Sequence, residues 1–144
     1  MLRIILIIMG VLLSVGCATP YQSGAMSFTG GHNAVTGPGK LVRIDFAGNG
    51  FIDNETAEIY AYYRCAEYTK EQGKNFFLLY GSLTDAAKDK RGNKVSLGLV
   101  GSKPVAYAYI LLRDEPESLS HDAESIMKKY HDVVYPPKKR KKDS

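Results

Sequence analysis

The chain contains no tryptophan, two cysteines and three histidines among its 144 residues, and each scarcity narrows what it can do. A metal centre draws on several thiolate or imidazole ligands. The ones on offer are Cys17, Cys65, His32, His121 and His131. His32 falls in a glycine-rich stretch. His121 and His131 are ten residues apart in a region of helical periodicity, roughly 80° off a common face at ~100° per residue. They read as solvated surface histidines, and no metal site is expected. A Gly-X-Ser-X-Gly nucleophile elbow is absent. Ser82, Ser96, Ser102, Ser118, Ser120 and Ser125 are scattered, with no base and orienting partner at a recognisable spacing. Asp114, Glu115 and Glu117 read as a cluster leading into a helix, and Glu67 and Glu71 as a solvent-facing i, i+4 pair. Gly48-Asn49-Gly50 lacks the lysine and the spacing of a phosphate loop and reads as a tight strand-to-helix turn. No catalytic residue, no enzymatic activity and no cofactor is expected.

Long apolar runs are also missing. Ile4 to Leu13 spans ten residues, where a bilayer core needs ~20. With Arg3 before it and Ser14-Val15-Gly16-Cys17 after it, the segment has the layout of a secretory signal. A cysteine directly after small residues resembles the lipobox of bacterial lipoproteins, although Ser14 stands where that motif usually has leucine. The resemblance implies cleavage between Gly16 and Cys17, then acylation of the Cys17 thiol and its new amino group. Ala18 is neutral. In the lipoproteins this resembles, a neutral residue there goes with export to the outer membrane, and aspartate with retention in the inner one. The implied address is a lipid anchor on the periplasmic face of the outer membrane. With Cys17 acylated, Cys65 has no partner for an intramolecular disulfide.

The charge is unevenly placed. The net value is +4 and the isoelectric point near 9.0, but Lys138, Lys139, Arg140, Lys141 and Lys142 are consecutive. Between residues 17 and 137, 13 basic side chains stand against 14 acidic ones. The body is therefore almost neutral, and its basicity is no sign of a nucleic-acid-binding fold. An exported, anchored protein also meets little nucleic acid. The basic run suits an anionic surface, where each residue contributes ~1 kcal/mol. Outer-membrane glycolipid, phospholipid and acidic wall polymers are the surfaces considered; a solvated terminus is the alternative.

Composition divides the rest. Residues 17–40, with five glycines after Ala18 and few large apolar side chains, read as a lipidated cysteine and flexible tether of roughly 25 Å reach. Residues 41–135 read as one α+β domain, and 136–144 as a basic disordered tail. Val42, Ile44 and Phe46 alternate with Arg43 and Asp45, the pattern of a half-buried strand. Asp53 or Asn54 caps a helix over residues 55–72 that Gly73 ends. Its packing stripe is Ala57, Ala61, Cys65 and Tyr68, which places Cys65 against a sheet. Residues 75–80 form an apolar strand covered on both faces. A hydrophilic loop over 84–93 leads to a hairpin of 94–100 with 105–113. A last helix, capped by Ser120, runs to about Val134 and stops before Pro136-Pro137. The expected architecture is a mixed sheet of three to four strands, with a long helix and a C-terminal helix packed on it and a strand–helix–strand crossover at its heart.

In order along the chain, Thr29-Gly30-Gly31, Phe46-Ala47-Gly48-Asn49-Gly50-Phe51, Arg64-Cys65-Ala66-Glu67-Tyr68-Thr69, Phe76-Phe77-Leu78-Leu79 and Asp122-Ala123 resemble a family of uncharacterised bacterial outer-membrane lipoproteins. Members share a lipobox, a glycine-rich segment with a GGY-like motif, a GNG turn, a helix and an apolar strand. His32 takes the place of the motif's tyrosine. The family carries no activity to transfer, so the resemblance bears on the address. A more distant likeness is to small periplasmic α/β lipoproteins, some of them envelope-stress sensors. Two expectations follow: a non-catalytic lipoprotein binding an envelope protein or a wall or lipid component, or a sensor responding to a small ligand or metal. Tyr60 and Tyr63 lie partly off the packing stripe and offer an amphipathic contact surface; the alternative is that they cover their own domain.

Overall fold

Alternation along Leu41–Ala47 turns Val42, Ile44 and Phe46 to one side and leaves Arg43 and Asp45 on the other, which sets the two faces of the sheet. The computed structural model describes residues 20–24 and 30–137. Strand β1 is Gly31–Thr36 and β2 is Leu41–Ala47. Helix α1 covers Asn54–Glu71, followed by β3, Phe76–Tyr80, and the short α2, Leu83–Ala87. Then come β4, Ser96–Val100, β5, Lys103–Arg113, β6, His121–Asp122, and α3, Ala123–Val134. The described residues thus form a small single-domain α+β fold with an open antiparallel sheet of six strands and three helices.

The sheet order is β1-β2-β5-β3-β6, with β4 also on β5. Both β2 and β3 run antiparallel to β5, so they are parallel to one another with β5 between them. The expected crossover is present in its split form, joined by α1. Strand β5 is long enough to carry two neighbours on one edge: β4 beside Lys103–Tyr107 and β3 beside Tyr109–Arg113. Strand β4 takes up the line of β3 after the excursion through α2. Ser96 Oγ donates to the Gly81 carbonyl at 2.9 Å and ties the junction.

Helices α1 and α3 cover the face that carries Ile44, Phe46, Phe77, Leu79, Ala108 and Ile110. Alanines and Cys65 on α1 are fully buried there, and small side chains let the helix lie close to the strands. Asp53 caps α1, accepting from Thr56 N at 2.7 Å, and Gly73 at φ +70° turns the chain beyond its end. On the opposite face Leu78, Tyr80 and Tyr109 form a smaller cluster with Ala86 of α2 against it.

Five expectations are corrected. The sheet has six strands rather than three to four, and every pair of named strands is antiparallel rather than mixed. The stretch read as a tether contains β1, and Gln22–Gly24 lie along β1 through a parallel bridge of Ser23 with His32. An edge strand is held by backbone pairing, which glycine-rich composition does not forbid. The loop read over 84–93 begins as α2, with Ser82 accepting from Asp85 N. The cap of α3 is Asp122, accepting from Ser125 N at 2.9 Å; Ser120 instead closes a turn onto Glu117. Among the described residues no helix is long and apolar enough to cross a membrane.

Candidate functional site

One face of α1 presents Tyr60, Tyr63, Arg64, Glu67 and Glu71 at helical spacings of three and four. The N-terminal segment and the end of α3 close over this face. The Tyr21 ring sits edge-on to Tyr60 and to Tyr63, both at 5.4 Å, and to Tyr135 at 5.7 Å, with the His32 ring at 4.4 Å. Edge-to-face contacts of this kind suit the ring quadrupoles. Glu67 gathers the polar ends. Tyr21 OH donates to its Oε2 at 2.7 Å, Arg64 Nη1 to the same oxygen at 2.6 Å, and Tyr135 OH to Oε1 at 3.4 Å. Arg64 also forks onto both oxygens of Glu71, at 2.6 and 2.9 Å.

Electrostatics follow from that geometry. Burial, reinforced by the Glu67 hydrogen bond, pushes the Tyr21 phenol far above its ordinary value. Tyr135 is pushed up to about 12 by burial and by the charge of Glu67. Burial alone would lower the Arg64 pKa, but its bonds to Glu71 and Glu67 raise it above the usual guanidinium value. The Arg64 hydrogen bond holds the Glu71 carboxyl below its usual range. Burial, and then the Arg64 charge, lowers His32 and favours its neutral ring. These groups stay in one protonation state at neutral pH and act as a clamp between the chain ends and α1.

A second locus lies beyond α1. His121 Nε2 is 2.9 Å from the Gly92 carbonyl, which can only accept, so that nitrogen carries the proton. Nδ1 then accepts from Tyr62 OH at 2.6 Å. Phe77 stacks on the imidazole at 5.1 Å. Burial pushes the Tyr62 phenol up to about 12, so it is protonated at neutral pH. Both imidazole nitrogens are engaged, and the pair pins β6 to α1. Two clefts flank it, of about 290 Å³ beside Glu58 and Lys94 and about 410 Å³ beside Arg91 and Leu119.

A hollow of about 620 Å³ forms a groove between α1 and α3, floored by Tyr63 and Met127 and rimmed by Lys70, Glu124, Lys128 and Asp132. On the sheet face away from α1 and α3, the Arg43 guanidinium lies 5.1 Å from the Tyr107 ring and 5.8 Å from Tyr109, and pairs with Asp45 at 2.8 Å.

The residues expected to form a site are distributed as follows. Cys17, Gly16 and the run Lys138, Lys139, Arg140, Lys141 and Lys142 lie outside the described residues. Tyr60 and Tyr63 do not form a contact surface; they are 8% and 2% exposed, covered by Tyr21 and Tyr135 of their own chain. Glu67 and Glu71 are not a bare solvent-facing pair, since both hold Arg64. His121 is on β6 rather than α3, and half-buried instead of solvated. Cys65 is fully buried, and burial pushes its thiol up, away from the reactive thiolate. Sequence reasoning missed Tyr21, because a lone aromatic among glycines has no period to mark it. The Arg43–Tyr107–Tyr109 group was readable in principle, since alternate residues of paired strands share a face. Among the described residues, no group of three or more His, Cys, Asp and Glu side chains is placed to hold a metal. No protein-family model, curated protein or solved structure matches this chain.

Proposed function

We propose that this protein is a non-catalytic lipoprotein, anchored through Cys17 on the periplasmic face of the outer membrane, whose domain binds an envelope protein or a wall or lipid component. The observation that carries this reading is where the chain ends leave the fold. The Tyr21 and Tyr135 rings lie 5.7 Å apart. Cys17 precedes the first by four residues, and the basic run Lys138 to Lys142 begins three residues after the second. Lipid and positive charge are thus attached to the domain at one place. Acylation at both the thiol and the amino group gives stable anchoring by itself, and a polybasic stretch close by adds attraction to anionic headgroups. The resemblance of residues 14–17 to a lipobox, and of the later motifs to outer-membrane lipoproteins, supports the same address.

Metabolic labelling with an alkyne fatty acid, followed by mass spectrometry of the N-terminal peptide, tests the anchor. The expected peptide begins at Cys17 and carries acyl mass, and Cys17→Ser loses the label. An unlabelled peptide cut elsewhere overturns the reading.

The α1–α3 groove favours a second reading, a ligand- or metal-responsive sensor, because its volume falls in the ~300–1,000 Å³ range of small-molecule sites. Selective binding to the folded form raises the melting temperature. A set of envelope metabolites and divalent cations producing no shift removes that alternative.

A further inference from the structure

The end of the sheet where β1 starts is unusual in what it exposes. Gly31 pairs with Ala47, and Ala47 with Val105, so β1 starts and β2 ends at the same level, two residues inside the start of β5. Two loops project beyond them, the β2–α1 loop and the β4–β5 hairpin turn, joined by Gly48 N donating to the Pro104 carbonyl at 2.8 Å. Their tips carry Phe51, 67% exposed, and Leu99 and Val100, both 66% exposed. Lys103, opposite Val100, adds a positive charge. The acidic side chain in the first loop, Asp53, is occupied in capping α1.

The chain also arrives from this end. His32 N donates to the Gln22 carbonyl at 2.7 Å and Gly24 N to the His32 carbonyl at 2.9 Å, so residues 22–24 run in the same direction as β1. Tyr21, the residue before this stretch, therefore lies toward the side on which β1 begins. Three residues separate Tyr21 from Cys17, and the four steps of chain between them span at most ~14 Å.

We propose that this end of the domain is a lipid-contacting surface: Phe51, Leu99 and Val100 enter the interfacial layer of the bilayer, with Lys103 at the level of the lipid phosphates. The proposal rests on acylation of Cys17. Given that anchor, the occupant follows from chain length, because ~14 Å leaves no room for a folded protein between these tips and the bilayer. The domain is then held flush against the membrane in one orientation, with the open sheet face and the α1–α3 groove to its sides.

The absence of tryptophan makes the test direct. The acylated full chain is reconstituted into phosphatidylethanolamine–phosphatidylglycerol vesicles containing a brominated lipid. Phe51→Trp and Leu99→Trp serve as single reporters, with Val35→Trp as the control. Val35 is also exposed but lies toward the far end of β1. The expected result is a blue shift and at least threefold stronger quenching at positions 51 and 99 than at 35, in variants that melt like the parent. Equal or absent quenching overturns the contact if the protein still floats with the vesicles and its N-terminal peptide still carries acyl mass. A peptide without acyl mass and no flotation marks failure of the anchor itself, and the contact falls with it.

Discussion

Tyr21 and its neighbours show how a few side chains fix a segment that composition alone would leave loose. Its ring touches three other tyrosines, and its hydroxyl adds to the donors on Glu67. These two contributions separate cleanly. Tyr21→Phe keeps the packing and loses one hydrogen bond, at a cost of about 1 kcal/mol. Tyr21→Ala also empties the space between Tyr60, Tyr63 and Tyr135 and costs about 2–4 kcal/mol. Urea unfolding distinguishes them; equal midpoints would show that the ring contributes nothing. The same cluster sets an acid limit. The folded pKa of His32 lies below its ordinary 6.5, so as pH falls the unfolded chain takes up that proton first. The His32 contribution is complete above about 6.5 and is lost as pH falls toward the folded value. Glu71, also lowered, adds a second loss that begins below about 4.5. Melting temperature should therefore fall in two stages from pH 7 to pH 3. His32→Phe should shrink the upper stage and Glu71→Gln the lower one, and superimposable profiles would refute both assignments.

Among the elements, the hinge of the N-terminal segment is Gly31. It adopts φ +141°, and an added Cβ would lie 2.6 Å from the Gln22 carbonyl oxygen. Only glycine lets that backbone approach β1. Gly31→Ala should lower the melting temperature and speed amide exchange at Gly24 and His32, whose N–H groups hold the segment. Gly50→Ala, with open space around its Cβ and no positive φ, should leave both unchanged and so controls for glycine replacement in general. Unaltered exchange in Gly31→Ala would show that the segment is held without this contact. The same physics explains which elements could be read from the sequence. Strand β2, helix α1, strand β3, strand β5 and helix α3 each bury an apolar face, and a buried face leaves a period in the residues. Strand β1 is a mostly exposed edge strand and β6 a two-residue one, both held by backbone pairing, and α2 is a single short turn with no buried residue. Of the site, the stripe that buries Cys65 was legible. The closing of Tyr60 and Tyr63 beneath Tyr21 was not, because it depends on a contact across 39 residues of chain.

Across the whole molecule, charge and fold are separate. The body is almost balanced, while the five-residue basic run follows Tyr135 at the point where the N-terminal segment also docks. Any attraction to an anionic surface is therefore concentrated beside the proposed anchor instead of spread over the domain. A chain begun at Ala18 retains every described element and lacks Cys17, so it isolates the electrostatic part. It should bind vesicles rich in phosphatidylglycerol at low ionic strength and ignore purely zwitterionic ones. Binding should weaken steeply with salt, since the screening length falls from about 10 Å at 0.1 M to about 3 Å at 1 M. At ~1 kcal/mol for each basic residue near the surface, replacing Lys138, Lys139, Arg140, Lys141 and Lys142 with glutamine should cost about three to four orders of magnitude in affinity at low salt. Lys128→Gln with Lys129→Gln, two charges on α3, should cost far less. If the glutamine tail binds as tightly as the basic one, the attraction comes from the folded surface, and orientation at the membrane must be set by the loop tips and the short N-terminal leash alone.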